Sequence, residues 1–258
     1  MIETDLTLPP ENPKPLRFTS AWNFWDVLLI SAASVALLAL GTLALSALSA
    51  AGAAPEAGPG GVSLGYNAAI AGLETVALLA SIFLLGVWRK KLPPSSVGLR
   101  KPPRGMLIAS VVLTLLIIPV MGLIALGIQL ALGQPVENPQ LEFLIPENFS
   151  WPGAAGMLLM GGLAVPFAEE LFFRGVLYQW MRSLMSAWIA IPLNAVIFGA
   201  LHGDLAVAGA TALLGLLLAW FYERSRSIWP SVIIHITNNG LKLLLLYILL
   251  AAGVDVAG

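Results

Sequence analysis

Long apolar stretches with few charges inside them follow one another along almost the whole chain. They occupy about residues 22–50, 66–88, 105–133, 152–181, 187–203, 205–222 and 228–252. Helices of this length can cross a hydrocarbon layer about 30 Å thick, and none of the stretches alternates apolar and polar positions as a barrel strand does. The pattern therefore predicts an all-α, polytopic transmembrane helical bundle with about seven to eight membrane helices, the fourth stretch being long enough for two elements.

Composition places these stretches in a membrane and not in a soluble core. Of the 258 residues, 58% are hydrophobic and only 10% are charged, whereas about one quarter of a typical soluble domain is charged. The lipid bilayer is therefore the first predicted partner. The net charge of −1 is divided among loops, so no nucleic-acid partner is expected. The chain has no cysteine, which excludes disulfides, a thiolate nucleophile and thiolate metal ligands.

The order of the stretches predicts one integrated membrane domain. Residues 1–20 form a polar, Pro-rich N-terminal tail, residues 21–150 hold the N-terminal transmembrane helices, and residues 151–253 hold the helices with most of the candidate catalytic groups. No internal repeat and no linker divides the chain into two parts.

Lysine and arginine residues gather on one side of the predicted bundle. The loop after the second stretch reads RKKLPPSSVGLRKPPR, and the same side carries Lys14, Arg17, Arg182, Arg224 and Arg226. The opposite loops carry no lysine or arginine, and their acidic residues are Glu56, Glu137, Glu142, Glu147 and Asp204. Because cytoplasmic loops keep the positive residues, we expect a multi-pass protein of a bacterial inner membrane with a cytosolic N-terminus.

A few ionisable or amide side chains interrupt the apolar stretches. Each ionisable group costs about 2.5–3.5 kcal/mol to insert, so each is a functional candidate. They are Glu74, Glu169, Glu170, Arg174, His202, His235 and Lys242, accompanied by Asn194, Asn238 and Asn239. Glu74 and Lys242 fall at similar depths in the second and seventh stretches. We expect them to pair, the alternative being separate exposure to a water-filled cavity.

Three short motifs place polar side chains on common helical faces. In EELFFR, Glu170 and Arg174 are four residues apart and can pair, while Glu169 points about 100° away. The same four-residue spacing joins Phe198 to His202 in FGALH, and His235 to Asn239 in HITNN. For the charged residues of EELFFR, a buried ion-pair cluster that only fastens helices is the alternative interpretation.

Depth along the helices predicts that the three motifs meet. Counted from the cytosolic ends at a rise of 1.5 Å per residue, Glu169 lies roughly 18 Å deep, His202 roughly 22 Å and His235 roughly 10 Å. These depths overlap in the middle of the membrane. We therefore expect the groups to converge on one cavity.

EELFFR, FGALH and HITNN resemble the EExxxR, FxxxH and HxxxN/D motifs of the CPBP family, which includes the type II CAAX prenyl endopeptidases and the Abi proteins. The resemblance covers roughly residues 153–251. It implies that Glu169 and His202 activate the attacking water, while His235 and Asn239 stabilise the tetrahedral oxyanion. It gives supporting roles to Glu170, Arg174 and Phe198.

The chemistry of these groups agrees with those implied roles. Burial disfavours an ionised carboxylate and so increases its basicity, and imidazole and carboxamide donors can meet negative charge in a water-poor cavity. Glu169, His202 and His235 could also bind zinc, because two histidines and a carboxylate leave a position for water. The sequence contains no HExxH, and the metal-free mechanism with glutamate as base is preferred.

The predicted function is therefore an intramembrane endopeptidase. Its substrate would be a membrane-associated or lipidated protein that reaches the site from the cytosolic side. Two other classes use the same residues differently: a proton-coupled membrane transporter, in which the carboxylates and histidines form a relay, and a non-enzymatic membrane scaffold or bacteriocin immunity factor.

Overall fold

Seven apolar helices form in the described part of the chain, which in this computed structural model comprises residues 18–55, 63–136, 144–146, 148–254 and 256. They are α1 Phe24–Ala50, α2 Leu64–Trp88, α3 Arg104–Leu132, α4 Trp151–Leu184, α5 Ala187–Ala200, α6 Leu205–Ser225 and α7 Trp229–Ala251. The described residues contain no strand. The predicted helical membrane bundle is confirmed, and the protein is a multi-pass integral membrane protein.

Two of the predicted spans differ from the helices that form. The fourth is one continuous helix of 34 residues and not two elements. The fifth was expected over 187–203, but α5 ends at Ala200 and has 14 residues, or about 21 Å of helix. Six helices are thus long and apolar enough to cross a membrane, and α5 is shorter.

Polar N-cap residues fix the starts of several helices. Asn23 forms a reciprocal capping box with Asp26 at the start of α1, and Ser63 and Ser150 cap α2 and α4. Asp204 accepts from the first backbone amides of α6. Each cap satisfies amide groups that the helix itself leaves without partners.

Four of the described basic residues form ion pairs at one end of the bundle. Asp26 pairs with Arg89 and Lys90, and Glu223 pairs with Arg182 and Arg226. The ring of Phe18 lies against both Arg182 and Arg226, which joins the N-terminal segment to this end. Asp204 begins α6 and so lies at its opposite end. This separation of charge agrees with the predicted orientation, whose cytosolic assignment stays a prediction. The charged residues Lys14, Arg17, Glu56, Glu137, Glu142 and Glu147 lie outside the described residues.

α4 is widened by two π-helical segments, Met160–Ala164 and Phe173–Tyr178, on either side of the turn that carries Glu169 and Glu170. Such segments leave carbonyl groups that need other donors. Asn194 of α5 donates to the carbonyl of Phe173 at 3.2 Å, and Trp22 donates to that of Gly175 at 2.7 Å. Asn194, singled out in the sequence as polar, therefore stabilises the irregular helix.

Small residues bring the helices of the site close together. A side-chain carbon on Gly162 of α4 would lie 3.4 Å from the Cα of Gly240 in α7, and one on Gly215 of α6 would lie 2.9 Å from the Cα of Ala195 in α5. Membrane helices pack closely where such residues let the backbones approach. The result is that α4, α5, α6 and α7 surround a common polar centre.

Candidate active site

A fully buried ion pair lies on α4, with both side chains 0% exposed. Arg174 Nη1 donates to Glu170 Oε1 at 2.9 Å, and Nη2 donates to the carbonyl of Gly215 at 3.4 Å. The guanidinium also lies over the ring of Phe198, 4.6 Å from its centroid. The pairing expected from the four-residue spacing is confirmed. The guanidinium is held inside the bundle and does not reach the surface.

His235 of α7 lies between the two glutamates of α4. Its Nδ1 is 3.0 Å from Glu170 Oε1, and its Nε2 is 3.6 Å from Glu169 Oε2. An ionised carboxylate can only accept a hydrogen bond, so Nδ1 carries the proton that Glu170 accepts. This contact fixes the tautomer and orientation of the ring, as a carboxylate does in catalytic triads. Nε2 remains on the side of Glu169.

Glu169 is the more accessible of the adjacent carboxylates. Its side chain is 14% exposed, whereas that of Glu170 is completely buried. Its contact is with His235, while the family resemblance pairs it with His202. Among the ion pairs of the described residues none joins His202 to a carboxylate. Glu169 therefore contacts the other polar side chains of the site through His235 and not through His202.

Phe198 separates and supports the two histidines. Both imidazoles meet its buried ring edge-on, with centroids 5.1 Å away for His202 and 5.5 Å for His235. His202 Nδ1 is 2.9 Å from the carbonyl of Phe198, and because a carbonyl only accepts, that nitrogen is the donor. The Nε2 atom of neutral His202 is therefore free to accept a proton.

His202 does not lie inside a spanning helix, as the sequence predicted, but on the turn between α5 and α6. The turn contains Gly203 at φ 79°, a conformation that favours glycine, and Asp204, which caps the next helix. The helix ends before His202 because these two residues reverse the chain.

A cavity of about 630 Å³ adjoins the polar centre. Its polar wall contains His202, His235, Asn238 and Asn239, and its apolar wall includes Leu144, Leu214, Leu243, Leu245, Leu246 and Leu249. Imidazole and amide groups from different parts of the chain thus converge on one cavity. Glu169 is not among the lining residues, and its link to the polar wall of the cavity is its contact with His235.

The two asparagines form a linked pair at the cavity. Asn238 Nδ2 donates to Asn239 Oδ1 at 2.8 Å, and Asn239 Nδ2 approaches the carbonyl of Gly161 at 3.5 Å. Asn238 was not among the predicted site residues, although the doubled asparagine in HITNN was the signal for it. The carbonyl of Gly161 had no sequence signal, since any residue supplies one.

The cavity extends away from the basic end of the bundle. From His235 its lining continues past Lys242 to Leu249 and Val256, toward the end of α7 that is distant from the paired arginines. The expected substrate access from the cytosolic side is therefore not supported by the lining. Under the predicted orientation, this cavity runs toward the outer half of the membrane.

The predicted pairing of Glu74 with Lys242 is wrong. Neither residue has an ion pair within 4.0 Å among the described residues. Lys242 lines the cavity, and Glu74 is not among the cavity's lining residues. Equal depth in two helices does not fix the directions in which their side chains point, so the two groups face different neighbours.

The expected metal ligands do not form a three-ligand set. In the part of the chain that the structure describes, no group of three histidine, aspartate or glutamate side chains is arranged to hold a metal ion. His235 uses Nδ1 for Glu170, so only its Nε2, which lies 3.6 Å from Glu169 Oε2, would be available to a metal. Glu169, His202 and His235 are thus not gathered as a three-ligand set in the described residues, and the metal requirement stays a prediction.

The comparisons place the known similarity in the second half of the chain. Residues 151–241 match the family described as "Type II CAAX prenyl endopeptidase Rce1-like". A Bacillus subtilis (strain 168) protein named "Putative membrane peptidase YdiL" is 26% identical over 83 residues, which are 32% of this chain and 34% of that protein. The match thus spans about a third of the relative's length. No solved structure matches the chain.

The matched segment contains all the residues of the three motifs. It begins with α4 and includes Glu169, Glu170 and Arg174, both histidines and Asn239. The same residues form the buried polar centre in the structure. The motifs and the matched segment agree in placing a similarity to the type II CAAX prenyl endopeptidases of the CPBP family in residues 151–241 of this chain.

Proposed function

We propose that the protein is an intramembrane endopeptidase that hydrolyses a peptide bond of a membrane-associated or lipidated protein. The observation that carries the proposal is His235, held by Glu170 on one ring nitrogen and facing Glu169 with the other, beside a cavity large enough for a peptide segment. A structural ion-pair cluster alone would not need a second carboxylate that is still partly exposed.

Glu169 is the proposed base. A water molecule near Glu169 and His202 would lose a proton to the carboxylate while its oxygen attacks the peptide carbonyl carbon. The free Nε2 of His202 can accept a hydrogen bond from the same water. When the carbon–nitrogen bond breaks, the proton returns from Glu169 to the leaving amine. The products are a carboxylate and an amine, so no other reactant is required.

Asn239 and His235 are the proposed donors to the oxyanion. The Nδ2 group of Asn239 has only a long contact, 3.5 Å, with the carbonyl of Gly161, so it can turn toward a new acceptor. His235 Nε2 can serve as a donor once it carries a proton, because Glu170 already holds the opposite side of the ring. Fixed donors in a water-poor cavity stabilise developing charge more strongly than they would in water.

The walls of the cavity suit an apolar or lipidated segment. Six leucines face a short polar strip, which gives the site one side for an apolar chain and one side for the chemistry. The family that matches residues 151–241 is described as one of prenyl endopeptidases. A prenylated peptide is therefore the first substrate to test, alongside its unmodified counterpart.

The test is the incubation of purified protein in detergent with a library of prenylated and unmodified peptides, with products identified by mass. Wild type should release defined fragments, and His202→Ala and Asn239→Ala should each reduce kcat/KM about 100-fold or more. Asn148→Ala, at an exposed position outside the cavity, is the matched control and should cleave like wild type.

Two results would contradict the proposal. Cleavage that is unchanged in both cavity variants would remove the assigned roles. No cleavage by wild type, together with proton-coupled uptake by the same protein in liposomes, would favour the transporter. A chelator should leave the rate unchanged in the metal-free mechanism, and a loss of activity that only zinc restores would overturn that part.

A further inference from the structure

Lys242 lies on the same face of α7 as the polar groups of the site. The intervals His235–Asn239, Asn239–Lys242 and Lys242–Leu246 are four, three and four residues, the spacing of one helical face. All four side chains line the cavity. Seven residues separate Lys242 from His235, so about 10 Å of helix lies between the ammonium-bearing residue and the hydrolytic group.

No acidic group in the described residues pairs with Lys242. The ion pairs there engage Arg89, Lys90, Arg174, Arg182, Arg226 and His235. Lys242 has no such ion pair although it lies within a membrane-spanning helix, where a charge without a partner is costly and marks a functional site. Lys242 and His202 both line this cavity.

Lys242 is exposed at the open side of the cavity, and its neighbours there do not provide an opposite charge. Its neighbours along the cavity wall are Leu243, Leu245 and Leu246. The end of α7 at Ala251 is nine residues away, about 13 Å of helix, so the site is well inside the span. The Lys242 side chain has a shorter path into the cavity than to the end of α7. The polar strip of that cavity already contains the reacting groups.

We propose that Lys242 holds a carboxylate of the substrate peptide inside this cavity, which makes it a specificity-determining residue of the proposed endopeptidase. The inference rests on the proposed function. An ammonium group in a cavity of low polarity favours an anion and offers it up to three hydrogen-bond donors. An extended peptide covers about 10 Å with three residues, so the carboxylate would lie about three residues from the bond that is cleaved.

Two sources of the carboxylate are possible, an acidic side chain and the C-terminus of the peptide. A peptide that the wild type cleaves is resynthesised with aspartate or asparagine at each position within five residues of the cleaved bond. A second series carries a free or an amidated C-terminus. The position at which charge matters identifies the source, and a side-chain carboxylate and a C-terminal carboxylate give separate results.

The variants are Lys242→Met, Lys242→Gln and Lys242→Arg, with Lys101→Met at an exposed loop position as the matched control. Wild type, Lys242→Arg and Lys101→Met should prefer the charged peptide by about 10- to 100-fold in kcat/KM, the range of a charge-assisted hydrogen bond. In Lys242→Met and Lys242→Gln the preference should fall to about threefold or less. Two neutral variants are used so that poor folding of one leaves a result from the other.

Three outcomes would overturn the inference. Wild type would cleave charged and neutral peptides equally, or the preference would survive in both neutral variants. In the third, phosphatidylglycerol in mixed micelles would bind wild type and not Lys242→Met, while the preference for charged peptides stayed unchanged in the variant. The ligand of Lys242 would then be a lipid phosphate. Failure of the proposed function is distinct, because wild type and Lys101→Met would then cleave no peptide at all.

Discussion

Replacement of Arg174 by methionine tests the buried ion pair that holds the site together. The change removes the 2.9 Å hydrogen bond to Glu170, the 3.4 Å contact with the Gly215 carbonyl and the stacking over Phe198. Methionine fills most of the volume, so the principal effect is to leave Glu170 buried with His235 as its hydrogen-bond partner. The position is 0% exposed, so water cannot replace the lost partner.

The expected loss of stability is large for a single substitution. Removal of one partner from a buried ion pair costs about 3–5 kcal/mol, because the other charge is left without compensation. At about 2–4 °C per kcal/mol for a chain of this size, the unfolding temperature should fall by about 6–20 °C. Glu170→Gln combined with Arg174→Met should recover part of this loss, because the double variant buries no unpaired carboxylate.

The assay is thermal unfolding of the purified protein in one detergent, followed by the loss of monodisperse protein on size-exclusion chromatography. Arg226→Met is the matched control. Its guanidinium is 42% exposed and lies 3.3 Å from Glu223, a class of pair worth about 0–1 kcal/mol. An unfolding temperature for Arg174→Met within about 2 °C of that of the control would refute the reasoning, because the pair would then contribute no more than an exposed one.

Two further predictions concern the packing that positions α4. Gly175→Ala should destabilise the protein by about 1–3 kcal/mol, because the added carbon would lie 2.6 Å from the carbonyl oxygen of Val97. Gly122→Ala is the control, since the added carbon there meets open space and should not destabilise the protein. Equal unfolding temperatures for the two variants would contradict the packing. The chain has no cysteine, so Gly162→Cys with Gly240→Cys should cross-link α4 to α7 on oxidation in membranes. The pair Gly122→Cys with Gly240→Cys should not, and cross-linking of both pairs or neither would count against the helix crossing.

The helices were predictable from sequence because lipid permits few alternatives. The seventh stretch was expected over 228–252 and forms Trp229–Ala251, since a long apolar run in a membrane has to satisfy its own backbone. The end of α5 was misplaced because Leu201 and His202 continue the apolar pattern. Gly203 and Asp204, the turn and cap signals that end the helix, were present in the sequence.

The arrangement inside the site was less accessible to sequence reasoning. Spacing identified Glu170 with Arg174, because both lie on one helix. The contact of Glu169 with His235 depends on how α4 and α7 are rotated, which depth along a helix does not determine. The same limit produced the wrong pairing of Glu74 with Lys242. The π-helical segments of α4 also change which side chains face α7, and no sequence pattern marks them.

The central claim is that Glu169 activates water in a site oriented by Glu170 and His235. The most direct test is the cleavage rate of Glu169→Gln on a peptide that wild type hydrolyses, in water enriched in oxygen-18 and with the unfolding temperature measured on the same samples. We expect the variant to stay folded, because glutamine has nearly the same shape, and its kcat/KM to fall about 100- to 10,000-fold. Wild type should place one oxygen-18 atom in each new carboxyl group. Cleavage by a folded Glu169→Gln at the wild-type rate would contradict the account.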